Sequence, residues 1–98
     1  MMKRFRKKLR MAGLEDSLRH ELNLSSGASE WLCRLAQDCG RQHGLDILSV
    51  RADVLTDTVF WQLERSGHQD LLNRLAADNE RFSHRLEFYR DSRTSAAA

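Results

Sequence analysis

The chain has 98 residues, of which 41% are hydrophobic, contains no proline and carries a formal net charge of +2 at pH 7. This length allows one domain with a modest core, which dimerisation would help to stabilise. No apolar run approaches the roughly 18 residues of a membrane-spanning helix, and the first residues lack the pattern of a signal peptide, so we expect a cytoplasmic protein.

The positive charge is concentrated at the N-terminus. Residues 1–10 contain six cations and no acid, so residues 11–98 sum to −4. Apolar residues recur at three- and four-residue steps over 2–12, which predicts a short amphipathic helix with a basic polar side. We call residues 1–12 the basic arm, and its cations are Lys3, Arg4, Arg6, Lys7, Lys8 and Arg10.

The basic arm fits a solubilising terminus, or a contact for nucleic acid, an acidic protein or a membrane surface. Clustered cations suit nucleic acid because binding to phosphates releases condensed counterions. A single short helix with one aromatic residue gives little basis for stable membrane attachment. Nucleic acid is therefore the alternative partner that the sequence predicts, and its binding should reside in residues 3–10.

The body of the chain is predicted to be all-α, because its apolar residues recur every three to four positions. We expect a small three- to four-helix bundle, in which Gly13 bends or breaks the chain after the arm and Gly44 ends the second helix. Ser26 or Ser29 is available to cap that second helix. The predicted divisions are the arm at 1–12, a single helical domain at 13–91 and a disordered tail at 92–98, with helices near 14–23, 29–43, 46–66 and 68–90.

The segment 46–66 contains two conflicting signals. Its apolar spacing indicates one long helix. Its β-branched residues, among them Val50 and Val54, favour extended structure. The alternative interpretation is a short extended segment at Ile47 to Val50, with the helix starting near Asp53.

Two aromatic residues, Phe60 and Trp61, are adjacent in that segment. Neighbours on a helix point about 100° apart, and a small bundle seldom buries both. We therefore expect this pair to contribute to a partner-binding surface. Phe60 lies nearer the predicted core stripe, so Trp61 is the stronger candidate for an exposed anchor.

The most regular apolar pattern lies in a predicted long C-terminal helix at 68–90. Six residues follow a 3-4-3-4-3 spacing that places them on one side of a helix. Asn79 occupies a heptad a position, where a buried amide can pair with its counterpart and fix the oligomeric state. This seam packs either on the preceding helix or on a second copy, and we predict that it contributes to a homodimer. The seam residues are Leu72, Leu75, Asn79, Phe82, Leu86 and Tyr89.

The sequence contains little that indicates chemistry. Cys39 and His43 lie four residues apart, but no paired ligand spacing accompanies them to suggest zinc, and nothing suggests an oxyanion site. Cys33 and Cys39, six apart in one helix, are expected to be reduced thiols. The isolated glycines form no phosphate-binding loop. A helix-turn-helix near Gly40 is disfavoured, because polar residues occupy the positions that its second helix should bury.

These observations predict a non-enzymatic regulatory or adaptor protein that acts through protein–protein contacts. We expect no cofactor and no metal. Another protein, including a second copy of the chain, is the predicted partner, and nucleic acid is the alternative.

Overall fold

The computed structural model describes the backbone of residues 2–97 and the side chains of residues 9–93. Within that range the chain is all-α and has no strand, which confirms the predicted fold class. The α-helices are α1 (Met2–Leu22), α2 (Ser26–Gln42), α3 (Leu55–Arg65), α4 (Gln69–Ala77) and α5 (Glu80–Ala97), and two 3-10 helices, Ile47–Ser49 and Ala52–Val54, lie between α2 and α3.

Helix α1 runs through Gly13, so the predicted break at this glycine is wrong. Leu14, Leu18 and Leu22 are buried by the bundle. Their packing outweighs the roughly 1 kcal/mol that a glycine costs inside a helix. The predicted boundary between arm and domain therefore falls within one continuous helix.

The cap of α2 is Ser25, and not the predicted Ser26 or Ser29. The Ser25 Oγ accepts a hydrogen bond from the backbone N–H of Ala28 at 3.1 Å. Ser29 is buried, and its hydroxyl donates to the carbonyl oxygen of Glu15 in α1. Ser29 thus joins α2 to α1 instead of capping a helix.

The backbone at the end of α2 lies very close to the backbone of the loop that follows. Gly44 follows the helix end, as predicted, and its φ of +72° is in the left-handed region that favours glycine. The Leu45 N–H donates to the Gly40 carbonyl at 2.8 Å. A Cβ at Gly40 would lie 2.6 Å from the carbonyl oxygen of Leu45, so only glycine leaves room for this approach.

The long helix predicted at 46–66 is wrong in its first half, because α3 begins only at Leu55. The alternative of an extended segment at 47–50 is also wrong for most of its length, since Ile47–Ser49 is a 3-10 helix. Val50 and Arg51, between the two 3-10 helices, have extended backbone angles, as does Asp46 before the first of them.

Side chains satisfy the backbone where the predicted helix fails to form. Asp46 Oδ1 accepts hydrogen bonds from the Leu48 N–H at 2.9 Å and from the Gln37 amide at 3.1 Å. Gln37 Oε1 accepts from the Ile47 N–H at 3.1 Å. These bonds compete with the helical pattern and hold the segment against the end of α2.

The predicted C-terminal helix 68–90 is also corrected, because it consists of two helices, α4 and α5, that meet at a turn. Asn79 Oδ1 accepts from the Phe82 N–H at 3.1 Å and caps α5. The Asn79 amide donates to the carbonyl oxygens of Leu22 and Asn23 at 2.9 and 3.0 Å. The amide that was expected to pair with a second copy is thus satisfied within the chain.

The core forms where α1, α2, α3 and α5 meet around Phe60. The Phe60 ring lies 5.5 Å from the ring of Phe82 and 5.5 Å from that of Tyr89, measured between centroids. Tilted and edge-on aromatic pairs at this separation are favourable. The other large apolar side chains that are fully or almost fully buried are Leu18, Leu22, Leu32, Ile47, Leu55, Val59, Leu63 and Leu72.

Helix α5 continues over residues 92–97, where the sequence suggested a disordered tail, and Ala98 lies outside the described residues. The mostly buried carboxylate of Glu64 in α3 accepts hydrogen bonds from Arg90 at 3.1 Å and from Arg93 at 3.0 Å. These two bonds tie the described C-terminal turns of α5 to α3.

The turn at Asn79 provides a stability test. We expect Asn79→Ala to lower the free energy of unfolding by about 2 kcal/mol, because it removes a helix cap and the bonds to two carbonyls of α1. Asn79→Asp keeps the capping oxygen but places a carboxylate oxygen opposite the two α1 carbonyls in place of the amide donor, so it should also destabilise the chain. Urea denaturation followed by circular dichroism measures both variants. Wild-type stability in Asn79→Asp would show that the bonds to α1 contribute nothing.

The two helical glycines should respond in opposite directions to alanine. Gly40→Ala is expected to destabilise the chain by about 1 kcal/mol or more, because its methyl group must displace the Leu45 backbone. Gly13→Ala is the matched control, since a Cβ there has open space, and it should stabilise the chain by about 0.5–1 kcal/mol. Thermal melts of the two variants measure these effects. Equal shifts in melting temperature would contradict the close approach of Gly40 to the Leu45 backbone.

Candidate functional site

A groove of about 480 Å³ opens where the 3-10 segment and α3 meet α5. Most of its lining is apolar, and three polar residues contribute to the rest. Such concave, mainly apolar surfaces are typical of binding sites. The apolar lining residues are Leu45, Val50, Val54, Trp61 and Tyr89, and the polar ones are Arg51, Asp57 and Thr58.

Trp61 and Val54 are the exposed apolar side chains of this groove. Trp61 has 37% of its surface exposed and Val54 has 44%. The guanidinium carbon of Arg65 lies 5.0 Å from the centroid of the Trp61 ring, which is a cation–π distance. The groove therefore presents an aromatic side chain, with a cation beside it, to solvent.

The neighbouring aromatic, Phe60, is completely buried. The residue that the sequence placed beside Trp61 in the partner-binding surface therefore belongs to the core in this fold. Trp61, the preferred of the two, lies at the surface as expected. The division follows from their separation of about 100° around α3.

Arg85 organises the side of the groove formed by α5. It donates to Asp57, a lining residue, at 2.6 Å and to Glu21 in α1 at 2.9 Å. Burial would lower the pKa of Arg85, but the bonds to the two carboxylates raise it above its usual value. Its guanidinium also lies 5.5 Å from the ring centroid of Phe88, which is 64% exposed. Arg85 thus connects the groove with a second exposed aromatic residue.

The predicted seam is used within the chain. Leu72 and Phe82 are completely buried, and the side chains of Leu86 and Tyr89 are 2% and 5% exposed. Leu75 is half-buried against the core. Asn79 forms the turn described above, so the six residues do not lie along one continuous helix.

The basic arm lies mostly outside the described side chains, although its backbone from Met2 onwards is helical. This applies to the predicted nucleic-acid contacts Lys3, Arg4, Arg6, Lys7 and Lys8. Arg10 is described, and its side chain is exposed.

Sequence reasoning missed several residues of this surface. Val50 and Val54 were counted among the apolar positions of one long helix and were not singled out as surface residues, and Val54 is 44% exposed. The exposure of Phe88 could have been predicted, because this residue lies outside the seam, on the otherwise charged side of the predicted C-terminal helix. The position of Phe88 three residues after Arg85 also makes the two side chains neighbours on a helix, but the bonds of Arg85 to Asp57 and Glu21 were not readable without the fold.

The cysteines and histidines form no shared site in the part of the chain with described side chains. Both cysteines are free and buried, as expected for reduced thiols. Burial, followed by the charge of Glu15, raises the pKa of the Cys33 thiol to about 12. Among residues 9–93 no three His, Cys, Asp or Glu side chains are grouped to hold a metal ion.

The described helices include none that is both long and apolar enough to cross a membrane.

Comparisons with known proteins give no relative from which to transfer a function. No protein-family model matches this chain. No curated protein matches it significantly, and no solved structure does so either. Function must therefore be inferred from the surfaces of the molecule.

The raised pKa predicts how Cys33 reacts. In the native chain we expect Cys33 to be alkylated by iodoacetamide much more slowly than in urea at about pH 8, because the buried group stays a thiol. Its usual pKa of 9.0 applies to the unfolded chain, so the free energy of unfolding should fall as pH rises from about 9 towards 12. Peptide mass spectrometry measures the labelling.

Glu15→Gln is the control for this reaction, because it removes the secondary charge and keeps the burial. Protection of Cys33 should persist in that variant. Rapid labelling of native wild-type Cys33 would contradict the buried, protonated state.

Proposed function

We propose that this chain is a small, non-enzymatic regulatory or adaptor protein that acts through protein–protein contacts. The observation that carries the proposal is the exposure of Trp61 and Val54 on one apolar groove. The groove, together with the neighbouring Phe88, is the proposed contact surface.

The chemistry of the groove resembles that of known protein interfaces. Tryptophan is among the residues that contribute most to binding energy, because its large ring buries much area at a low entropic cost. Arg51 and Arg65 are exposed near this apolar centre and provide polar surroundings. An amphipathic helix that presents apolar residues at three- and four-residue steps is a suitable occupant.

A homodimer is one form of this proposal. Because the seam residues are largely buried within the chain, a second copy would contact the face with Trp61, Val54 and Phe88 instead. The free thiols of Cys33 and Cys39 support a cytoplasmic location, where cysteines are kept reduced. The raised pKa of the Cys33 thiol makes this one side chain a poor nucleophile, because thiolates and not thiols act as nucleophiles.

Nucleic acid remains the alternative partner of the basic arm. It is supported by six cations in residues 1–10, against a body that sums to −4. This prediction is separate from the groove, since it requires phosphate contacts with the arm alone.

Two exposed tryptophans allow a matched test of the proposed surface. Trp61→Ala is expected to abolish or greatly weaken capture of partner proteins from nuclease-treated lysate, since a central anchor contributes about 2 kcal/mol or more to binding. Trp31→Ala is the control: Trp31 is 50% exposed on α2 and does not line the groove. Mass spectrometry identifies the partners that only the Trp61 variant loses.

The stability of both variants must also be measured. Both variants should remain folded but melt below the wild type, because each ring is half or more buried and loses packing when it is removed. Light scattering across the micromolar range then tests whether the chain is its own partner. Identical partner lists for the two variants, together with a monomer at every concentration, would refute the proposed surface.

A further inference from the structure

The described part of α1 shows which side of this helix faces the core. Leu14 and Leu18 are buried, and Met11 packs partly against them. Leu9 is 58% exposed. At about 100° per residue, Leu9 lies nearly opposite Leu18 on the helix circumference, so α1 has an outer side that the bundle does not cover.

The apolar residues of the arm fall on this outer side. Because the helical backbone continues to Met2, the register places positions 2, 5, 9 and 12 within a sector of about 80°. We call these four residues, Met2, Phe5, Leu9 and Ala12, the outer stripe. The outer stripe is not an extension of the core side, since the two lie about 160° apart.

The cations of the arm fall on both sides of the outer stripe. By the same register, Arg6 and Lys8 lie at its two borders. Lys3, Arg4, Lys7 and Arg10 occupy positions farther round the helix. The sequence alone gave little basis for membrane attachment, because a separate helix of this length is marginal in water. In the structure the arm is the first part of the continuous helix α1, which the bundle holds folded. An apolar sector bordered by lysine and arginine is then the pattern of a helix that lies in the interface of an anionic bilayer.

We propose that residues 2–12 bind the surface of an anionic lipid bilayer as an amphipathic helix, with the outer stripe against the membrane. This function is independent of the groove and of its protein partner. The core residues Leu14 and Leu18 lie on the opposite side of α1, so the core of the bundle is away from the bilayer. Helix α2 flanks only the end of the stripe, where Ala12 lines a cleft with Ser26 and Glu30. Farther along the outer side, Asp16 and His20 are exposed and polar, which ends the apolar contact near Ala12.

Charge and hydrophobicity together favour lipid over nucleic acid. Six cations are attracted to the anionic headgroups of lipids as well as to nucleic-acid phosphates. Only the bilayer also covers Met2, Phe5 and Leu9, since contacts with phosphates leave an apolar stripe in water. The body of the chain, which sums to −4, confines the attraction to the arm.

Co-sedimentation of the full chain with lipid vesicles tests this inference. The chain is expected to bind phosphatidylcholine vesicles that contain phosphatidylserine, to ignore vesicles of phosphatidylcholine alone, and to dissociate as salt is raised. Phe5→Ser with Leu9→Ser keeps all six cations and should weaken vesicle binding at least about tenfold. Trp31→Ala removes an exposed ring from α2 and should leave binding unchanged.

A second variant and a competitor complete the experiment. Leu9→Ser alone changes an exposed side chain, so its helicity should match the wild type while its vesicle binding falls. Duplex DNA is the competitor. If the double variant bound these vesicles as tightly as the wild type and DNA displaced both, the cations alone would be sufficient and nucleic acid would be the partner of the arm. Failure of the wild type to bind at low salt would also overturn the proposal.

Discussion

The reversal of the chain at Asn79 depends on three hydrogen bonds from one side chain, and the arrangement of the bundle depends on that reversal. The amide holds the start of α5 against the carbonyl end of α1, and the side-chain oxygen begins α5. Helix α5 thereby places the rings of Phe82 and Tyr89 in contact with the ring of Phe60. Arg85, on the same helix, reaches carboxylates of both α1 and α3. A single polar residue thus positions the aromatic core and the rim of the groove.

The shape of the groove depends on the start of α3 at Leu55, nine residues after the start of the predicted helix. Had residues 46–54 continued α3 towards its N-terminus, Val50 and Val54 would have lain on the same side of that helix as Trp61 and farther along its axis. Bonds from Gln37 and Asp46 to the backbone stabilise 3-10 turns instead. The residues before α3 therefore line one groove with Trp61, where Leu45 and Val50 join Val54.

Much of the fold could be predicted from the spacing of apolar residues, because helix formation here follows burial of one side. The all-α class and the surface position of Trp61 are two such outcomes. The breaks within the predicted helices were not predictable in the same way. Asn79 fits a continuous heptad equally well, and its partners, the carbonyls of Leu22 and Asn23, lie 57 and 56 residues earlier in the chain.

Glycine itself was also ambiguous in the sequence. Gly13 and Gly40 both lie inside helices, and only the fold distinguishes the first, which faces open space, from the second, which meets a backbone oxygen. The local sequence pattern indicates which secondary structure a segment prefers. It does not indicate which distant backbone group will approach that segment.

The contact between Gly40 and Leu45 has an evolutionary consequence. A backbone crossing with no room for a methyl group restricts position 40 to a single amino acid, whereas the leucines of the core can be exchanged for other apolar residues of similar volume. Descendants of this fold can therefore diverge until their overall similarity disappears and still retain this glycine, with a left-handed glycine four residues later. Such a pair, at the end of an amphipathic helix and ahead of a capping aspartate, is a local signature by which distant relatives can be sought.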